Sequence, residues 1–132
     1  MTNTDHNQCN EHGRKHGYWV ERHADGCEER GIYVNGARHG HWDLRGYGNV
    51  SAGQYVSGKQ NGIWKLQGAY GGEAEGTMVN GKRQGRWIFR TALGFVSEGP
   101  FVDGERHGQW TVQFLDGVPV KCEYKHGILV EN

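Results

Sequence analysis

The chain has 132 residues, room for one ordinary domain, with 23 glycines but only 2 prolines. Lys plus Arg and Asp plus Glu are each 15, so the formal net charge is zero, which gives no support to nucleic-acid binding or to an anionic membrane surface. Scarce proline without a Ser-rich tract argues against a flexible linker or a collagen-like chain, and an apolar content of 35% suits a thin, largely exposed sheet better than a thick core.

In chain order, residues 1–12 read as an N-terminal tail or partial cap. The opening stretch MTNTDHNQCNEHGRKHGYW has no apolar run that could serve as a signal-peptide core, and no span of 18 apolar residues follows anywhere. From residue 13 a period takes over. Trp19, Trp42, Trp64, Trp87 and Trp110 recur at spacings of 23, 22, 23 and 23 residues. Each is preceded by a glycine pair six and two residues earlier: Gly13/Gly17, Gly36/Gly40, Gly58/Gly62, Gly81/Gly85 and Gly104/Gly108. A further glycine lies midway in each unit, at Gly26, Gly48, Gly71, Gly94 and Gly117. Five residues beyond it stand Gly31, Gly53, Gly76, Gly99 and then Cys122, followed two residues on by Tyr33, Tyr55, Met78, Phe101 and Tyr124.

Each unit therefore reads as a strand–turn–strand hairpin. The fifth is clearest: Trp110, Val112 and Phe114 alternate with polar residues before Asp116-Gly117, and Val120, Cys122 and Tyr124 alternate after it. Glycine every five or so residues excludes helix, at about 1 kcal/mol each. The sequence predicts an all-β fold: a single-layer, twisted antiparallel meander of about ten strands in five hairpins, spanning 13–127. In the expected register Trp110 faces Tyr124, Val112 faces Cys122, Trp42 faces Tyr55 and Trp87 faces Phe101. Leu44, Leu66 and Phe89 would then lie across Gly53, Gly76 and Gly99. The residue missing between Trp42 and Gly48 is placed near the hairpin end, because a slip in mid-strand would turn the apolar face outward. After Gly127, Ile128-Leu129-Val130 opens a C-terminal segment, 128–132, that reads either as a cap folding back or as an edge-to-edge homodimer contact.

The segments NGARHGHW (35–42), SGKQNGIW (57–64), NGKRQGRW (80–87) and DGERHGQW (103–110) resemble the MORN-repeat family, in the tryptophan-containing form of many small bacterial proteins. Gly53-Gln54-Tyr55 through Gly58 and Gly62 follow the ordinary MORN frame, with Trp64 where that frame has its last glycine. The resemblance implies an elongated, possibly trough-shaped sheet of stacked hairpins and brings no catalytic residue. It implies a protein-binding scaffold, a membrane-associated module or, for the tryptophan variant, an antitoxin or immunity-type protein.

Two residue sets are candidates for partner binding. The first is basic: Arg14 and Lys15, Arg38 and His39, Lys59, Lys82 and Arg83, Arg106 and His107 follow the glycines six before each tryptophan. Equivalent loops would recur about every 10 Å, as two strand spacings of ~4.8 Å, and form a basic stripe along one edge. Asp25, Glu28, Glu29, Glu73, Glu75, Glu98, Asp116 and Glu123 concentrate elsewhere. The stripe either docks an acidic protein surface or phosphates, or only keeps the turns soluble. The second is the row Tyr33, Tyr55, Met78, Phe101 and Tyr124, which either lines a trough that grips a partner or belongs to the core. The tryptophans are expected in the core.

Cys9, His12, His16 and Cys27 are spaced too loosely for a metal centre, and no nucleophile–base motif, phosphate loop or H-E-x-x-H occurs. The expected protein has no cofactor and is not an enzyme. Three cysteines without a disulfide framework predict a reduced, cytoplasmic setting. The partner expected is another protein, such as a toxin or effector domain. A membrane lipid or self-association at the chain's ends is the alternative.

Overall fold

The computed structural model describes residues 6–115 and 117–130. Over these residues the protein is all-β, with 13 strands in one open antiparallel sheet. They are β1 (Gln8–Cys9), β2 (Lys15–Arg22), β3 (Glu28–Val34), β4 (Ala37–Gly46), β5 (Asn49–Val56), β6 (Lys59–Gln67), β7 (Glu73–Val79), β8 (Lys82–Arg90), β9 (Val96–Val102), β10 (Glu105–Arg106), β11 (Gly108–Gln113), β12 (Val120–Lys125) and β13 (Ile128–Val130). Each pairs with the next in sequence, except that β10 and β11 both pair with β9 as two halves of one interrupted strand. Against the ten long strands expected, the split strand and short strands at either end account for the other three.

Turn chemistry sets the meander. At one end of the hairpins are two-residue turns, Asn35-Gly36, Ser57-Gly58, Asn80-Gly81, Asp103-Gly104 and His126-Gly127, with φ of 48–50° and then 83–86°. Both residues are left-handed, the type I′ geometry whose twist matches that of the strands. Each turn also leans on the preceding repeat: Gly58 N–H donates to the Arg38 carbonyl at 2.9 Å, and Gly81 N–H to that of Gln60 at 2.9 Å. At the opposite end the turns are wider, as where Thr91 N–H reaches the Phe95 carbonyl and Gly94 N–H reaches that of Thr91. The second copy closes there with just two residues, Tyr47-Gly48, between the paired Gly46 and Asn49. The shorter spacing is thus absorbed in the turn, as expected, and alternation survives on both sides. Asp116, in the fifth turn, lies outside the described residues.

The register differs by two residues from the one expected. Trp110 faces Cys122 and Val112 faces Val120, while Tyr124 faces Gly108. Trp42 faces Gly53, Trp87 faces Gly99, and Leu44, Leu66 and Phe89 face Ser51, Ala74 and Ser97. A shift of two keeps every side chain on its predicted face and changes only its neighbour. The physical reason is volume. Trp42 is flanked by Gly31 and Gly53, so the indole faces bare backbone directly across both neighbouring strands and meets Tyr33 and Tyr55 only diagonally.

The tryptophans, not Leu44, Leu66 and Phe89, cover the strand glycines. A Cβ placed on Gly31, Gly53, Gly76 or Gly99 would fall inside the indole of Trp42, Trp64, Trp87 or Trp110 respectively. Cys122 stands at the equivalent place in the fifth copy, where the following strand β13 carries no tryptophan.

A bulge makes this possible. Between Gly31 and Ile32 the β3–β4 register shifts, and Gly40 and His41 face no residue of β3. Gly40 takes φ 73°, a value L side chains rarely adopt. At this interruption the Trp42 indole N–H donates to the Ile32 carbonyl at 2.9 Å. The same bond recurs from Trp64 to Gln54, Trp87 to Thr77 and Trp110 to Pro100, at 2.9–3.0 Å. The indole is an added donor at the bulge: the Pro100 carbonyl, for one, also accepts from His107 N–H at 3.1 Å.

The core is the result. Trp42, Trp64, Trp87 and Trp110 are at most 1% exposed, and Tyr33, Tyr55, Met78 and Phe101 are buried with them. Edge-to-face contacts link Trp19–Tyr33–Trp42–Tyr55–Trp64 and Trp87–Phe101–Trp110–Tyr124, with centroids 5.0–6.1 Å apart. Each such pair contributes about 0.5–1.5 kcal/mol beyond area burial. At the N-terminal end Asn7 uses its side-chain amide as a strand would, accepting from Val20 N–H at 2.7 Å and donating to the Val20 carbonyl at 3.0 Å. At the other end Ile128–Val130 folds back as β13 on β12.

Candidate functional site: a cation row on the aromatic face

The residue four before each tryptophan lies on the same face as the ring, because strand side chains alternate with period two. Lys15 Nζ is 4.8 Å from the Trp19 ring centroid, and the guanidinium carbons of Arg38, Arg83 and Arg106 are 4.2, 5.0 and 4.7 Å from those of Trp42, Trp87 and Trp110. In the third copy this position is Gln60. The expected single stripe is therefore two. The turns are only two residues long, so the next residues already belong to strands, and alternation sends successive side chains to opposite faces. Lys15, Arg38, Arg83 and Arg106 roof the aromatic face. Lys59 and Lys82 start their strands one residue earlier and are exposed, as is Arg14 just before β2.

The histidines serve the turns. His16 Nδ1 accepts from Asn35 N–H at 3.3 Å, and His107 Nδ1 accepts from His126 N–H at 3.2 Å. Asn61 does the same for Asn80 at 3.1 Å. His39, at the equivalent position, is exposed. The second candidate row is mostly interior: Tyr33, Tyr55, Met78 and Phe101 are 5–9% exposed, with Tyr124 half-buried. Their surface is spent on the neighbouring tryptophans, which leaves little of it for a partner.

The two ends of the cation row differ in charge pairing. In the first two copies Glu21 accepts from Lys15 at 2.5 Å and from the Tyr33 hydroxyl at 2.7 Å, and pairs with Arg38 at 3.4 Å; Glu29 lies 3.1 Å from Arg38. Burial works against the Glu21 carboxylate, but the bonds from Lys15 and Tyr33 outweigh it and hold its pKa below the ordinary glutamate value. The bond to Glu21 likewise raises Lys15. Burial disfavours the Arg38 charge too, yet its bonds to Tyr33, Glu29 and Tyr55 leave its pKa above the usual arginine value.

Farther along, the residues equivalent to Glu21 are Leu44, Leu66, Phe89 and Val112, and those equivalent to Glu29 are Ser51, Ala74, Ser97 and Val120. Leu44, Leu66, Ala74 and Phe89 are half-buried against the core. Where Gln60 replaces a cation, a hollow of about 120 Å³ opens between Leu44, Ser51, Trp64, Leu66, Met78 and Arg83. A second hollow, which shares Leu66 with the first, is lined by Tyr70, Ala74 and Phe89 among others. Of these residues the sequence marked Met78 and Arg83 but not Leu44, Leu66 and Phe89. The signal that could have found those three is their place, two residues after a tryptophan and so on the same face.

Among the described residues, no three His, Cys, Asp or Glu side chains converge as a metal site, and Cys9, Cys27 and Cys122 are free thiols. Among the described residues no helix is long and apolar enough to cross a membrane. No family model matches the sequence, and a search of curated proteins finds no match.

Proposed function

We propose that the chain is a non-catalytic protein-binding repeat module of the MORN-like type, which holds a partner along its aromatic face. The observation that carries this reading is the gap at Gln60, where the cation row stops and an apolar hollow opens onto the Trp64–Trp87 core. A partner's apolar side chain entering there would meet a rigid floor, as binding hot spots require. A second hollow that shares Leu66 reaches Phe89, and Arg83, Glu73 and Arg90 stand among the linings, which suits the apolar centre and polar border of an interface. In its most concrete form, the partner is a toxic enzyme or effector that the module neutralises by covering its working surface.

Gln60→Arg is the decisive variant, because it installs the residue that the second, fourth and fifth copies carry at this position. The product of a neighbouring gene is expected to co-purify with the native chain and with Val79→Lys on the opposite face, but not with Gln60→Arg. Retention by Gln60→Arg with loss in Val79→Lys would refute the assignment to this face. Salt-sensitive flotation on anionic liposomes without protein capture would replace the reading with a membrane one.

A further inference from the structure

Phe89 occupies the position in the fourth copy that Glu21 occupies in the first. Glu21 sits between Lys15 of its own repeat and Arg38 of the next, and joins both. Phe89 likewise lies between Arg83 of its own repeat and Arg106 of the next, whose guanidinium carbons are 5.6 and 5.7 Å from its centroid. The ring is held nearly parallel to the Trp87 and Trp110 indoles, at 25° and 28°. The cations have thus been kept while their anion has been replaced by an aromatic platform.

Neither arginine has a carboxylate within ion-pair distance among the described residues. Arg106 keeps one polar contact, to the Tyr124 hydroxyl at 3.3 Å, matching that of Arg38 to Tyr55. Arg83 lies over Phe101, which has no hydroxyl, and its guanidinium makes no hydrogen bond to another described residue. It also borders the hollow at Gln60, so the two features adjoin. The fold itself does not require these cations, since Trp64 is 1% exposed beneath Gln60.

We propose that Arg83 and Arg106, bracketing Phe89, form a receptor for a carboxylate side chain on an acidic segment of the protein partner, which supplies from outside the anion that Glu21 supplies within. This rests on the protein-binding reading above. A carboxylate is favoured over a phosphate because it is the group that the same geometry holds in the first two repeats. Guanidinium groups also offer paired donors suited to it, on an apolar floor that strengthens the bond.

The test uses the full chain, an acetylated hexaglutamate peptide, and NMR of the arginine Nε–H and indole Nε1–H signals. The expected result is saturable binding that weakens with salt and shifts Arg83, Arg106, Trp87 and Trp110. Arg83→Gln combined with Arg106→Gln copies the residue that the third repeat carries at this position. That double variant should fold and bind about tenfold more weakly or worse. Phe89→Glu should also abolish binding, by closing the bridge internally. Equal binding by the double Gln variant overturns the proposal. Shifts confined to arginines away from Phe89, such as the exposed Arg14, or preference for phosphatidic acid vesicles over the peptide, would do the same. Partner capture that is lost in Gln60→Arg but unchanged in the double Gln variant sinks this inference alone and leaves the protein-binding reading standing.

Discussion

Gly76→Ala adds one methyl group in mid-strand, and its cost should be far larger than that of a methyl elsewhere. Gly76 is paired to Trp64 on one side and Trp87 on the other, and the new Cβ would fall inside the Trp87 ring. The ring has nowhere to go, with Arg83, Phe89 and Phe101 packed around it. Moving it breaks the 2.9 Å bond to the Thr77 carbonyl and uncovers a side chain that is only 1% exposed in the native fold. Overpacking alone costs about 1–3 kcal/mol, and a displaced Trp approaches the ~3–5 kcal/mol of a Trp→Ala change. The expected loss is therefore about 3–5 kcal/mol, on the order of 10–20 °C in Tm for a chain this size. Urea unfolding followed by far-UV circular dichroism and tryptophan fluorescence measures it. Gly72→Ala is the control, since its Cβ would make only an ordinary 3.5 Å contact with the Arg90 carbonyl and should be nearly silent. In a Trp87→Ala background, Gly76→Ala should cost little, giving strong non-additivity. Equal effects of Gly76→Ala and Gly72→Ala, or additivity with Trp87→Ala, would refute the reasoning.

Trp110→Phe keeps an aromatic ring but removes one of two donors to the Pro100 carbonyl, which keeps His107 N–H at 3.1 Å, so loss of that bond should cost about 0.5–1.5 kcal/mol in the same assay. Ser57→Asn places a residue tolerant of the left-handed region where Ser57 has φ 49°, and should raise the urea midpoint by the equivalent of about 0.5–1 kcal/mol. The Glu21 carboxylate titrates below the ordinary glutamate value when folded, so its stabilisation is complete above that value and is lost as pH falls through the lower folded one. Unfolding titrations across the acid range should show this loss in the native chain and less of it in Glu21→Gln.

The hairpin repeat, its period and the two-sided alternation were legible because each depends on local chemistry. Asn35-Gly36 and Asn80-Gly81 write their turns into the sequence, and the deletion before Gly48 had to fall where it would not invert a strand. Placing Trp42, Leu44 and Tyr55 on one face needed only period two. The candidate site was harder to see. The basic residues were legible as a recurring set, but not as two sets, because the tightness of the turn determines where alternation begins. The row of Tyr33, Tyr55, Met78 and Phe101 could be core or interface on sequence grounds, since burial depends on what lies beside it.

By itself, then, the sequence determined the all-β repeat, the faces and the unusual demand for glycine at Gly31, Gly53, Gly76 and Gly99. Only the tertiary structure decided which side chain answers that demand. A register two residues away preserves every face, so pattern alone cannot separate the two; the bulk of an indole beside bare backbone, and the carbonyl it satisfies, select one. That choice brings Arg83 and Arg106 together over Phe89, where residues 83, 89 and 106 become one site through packing between successive repeats.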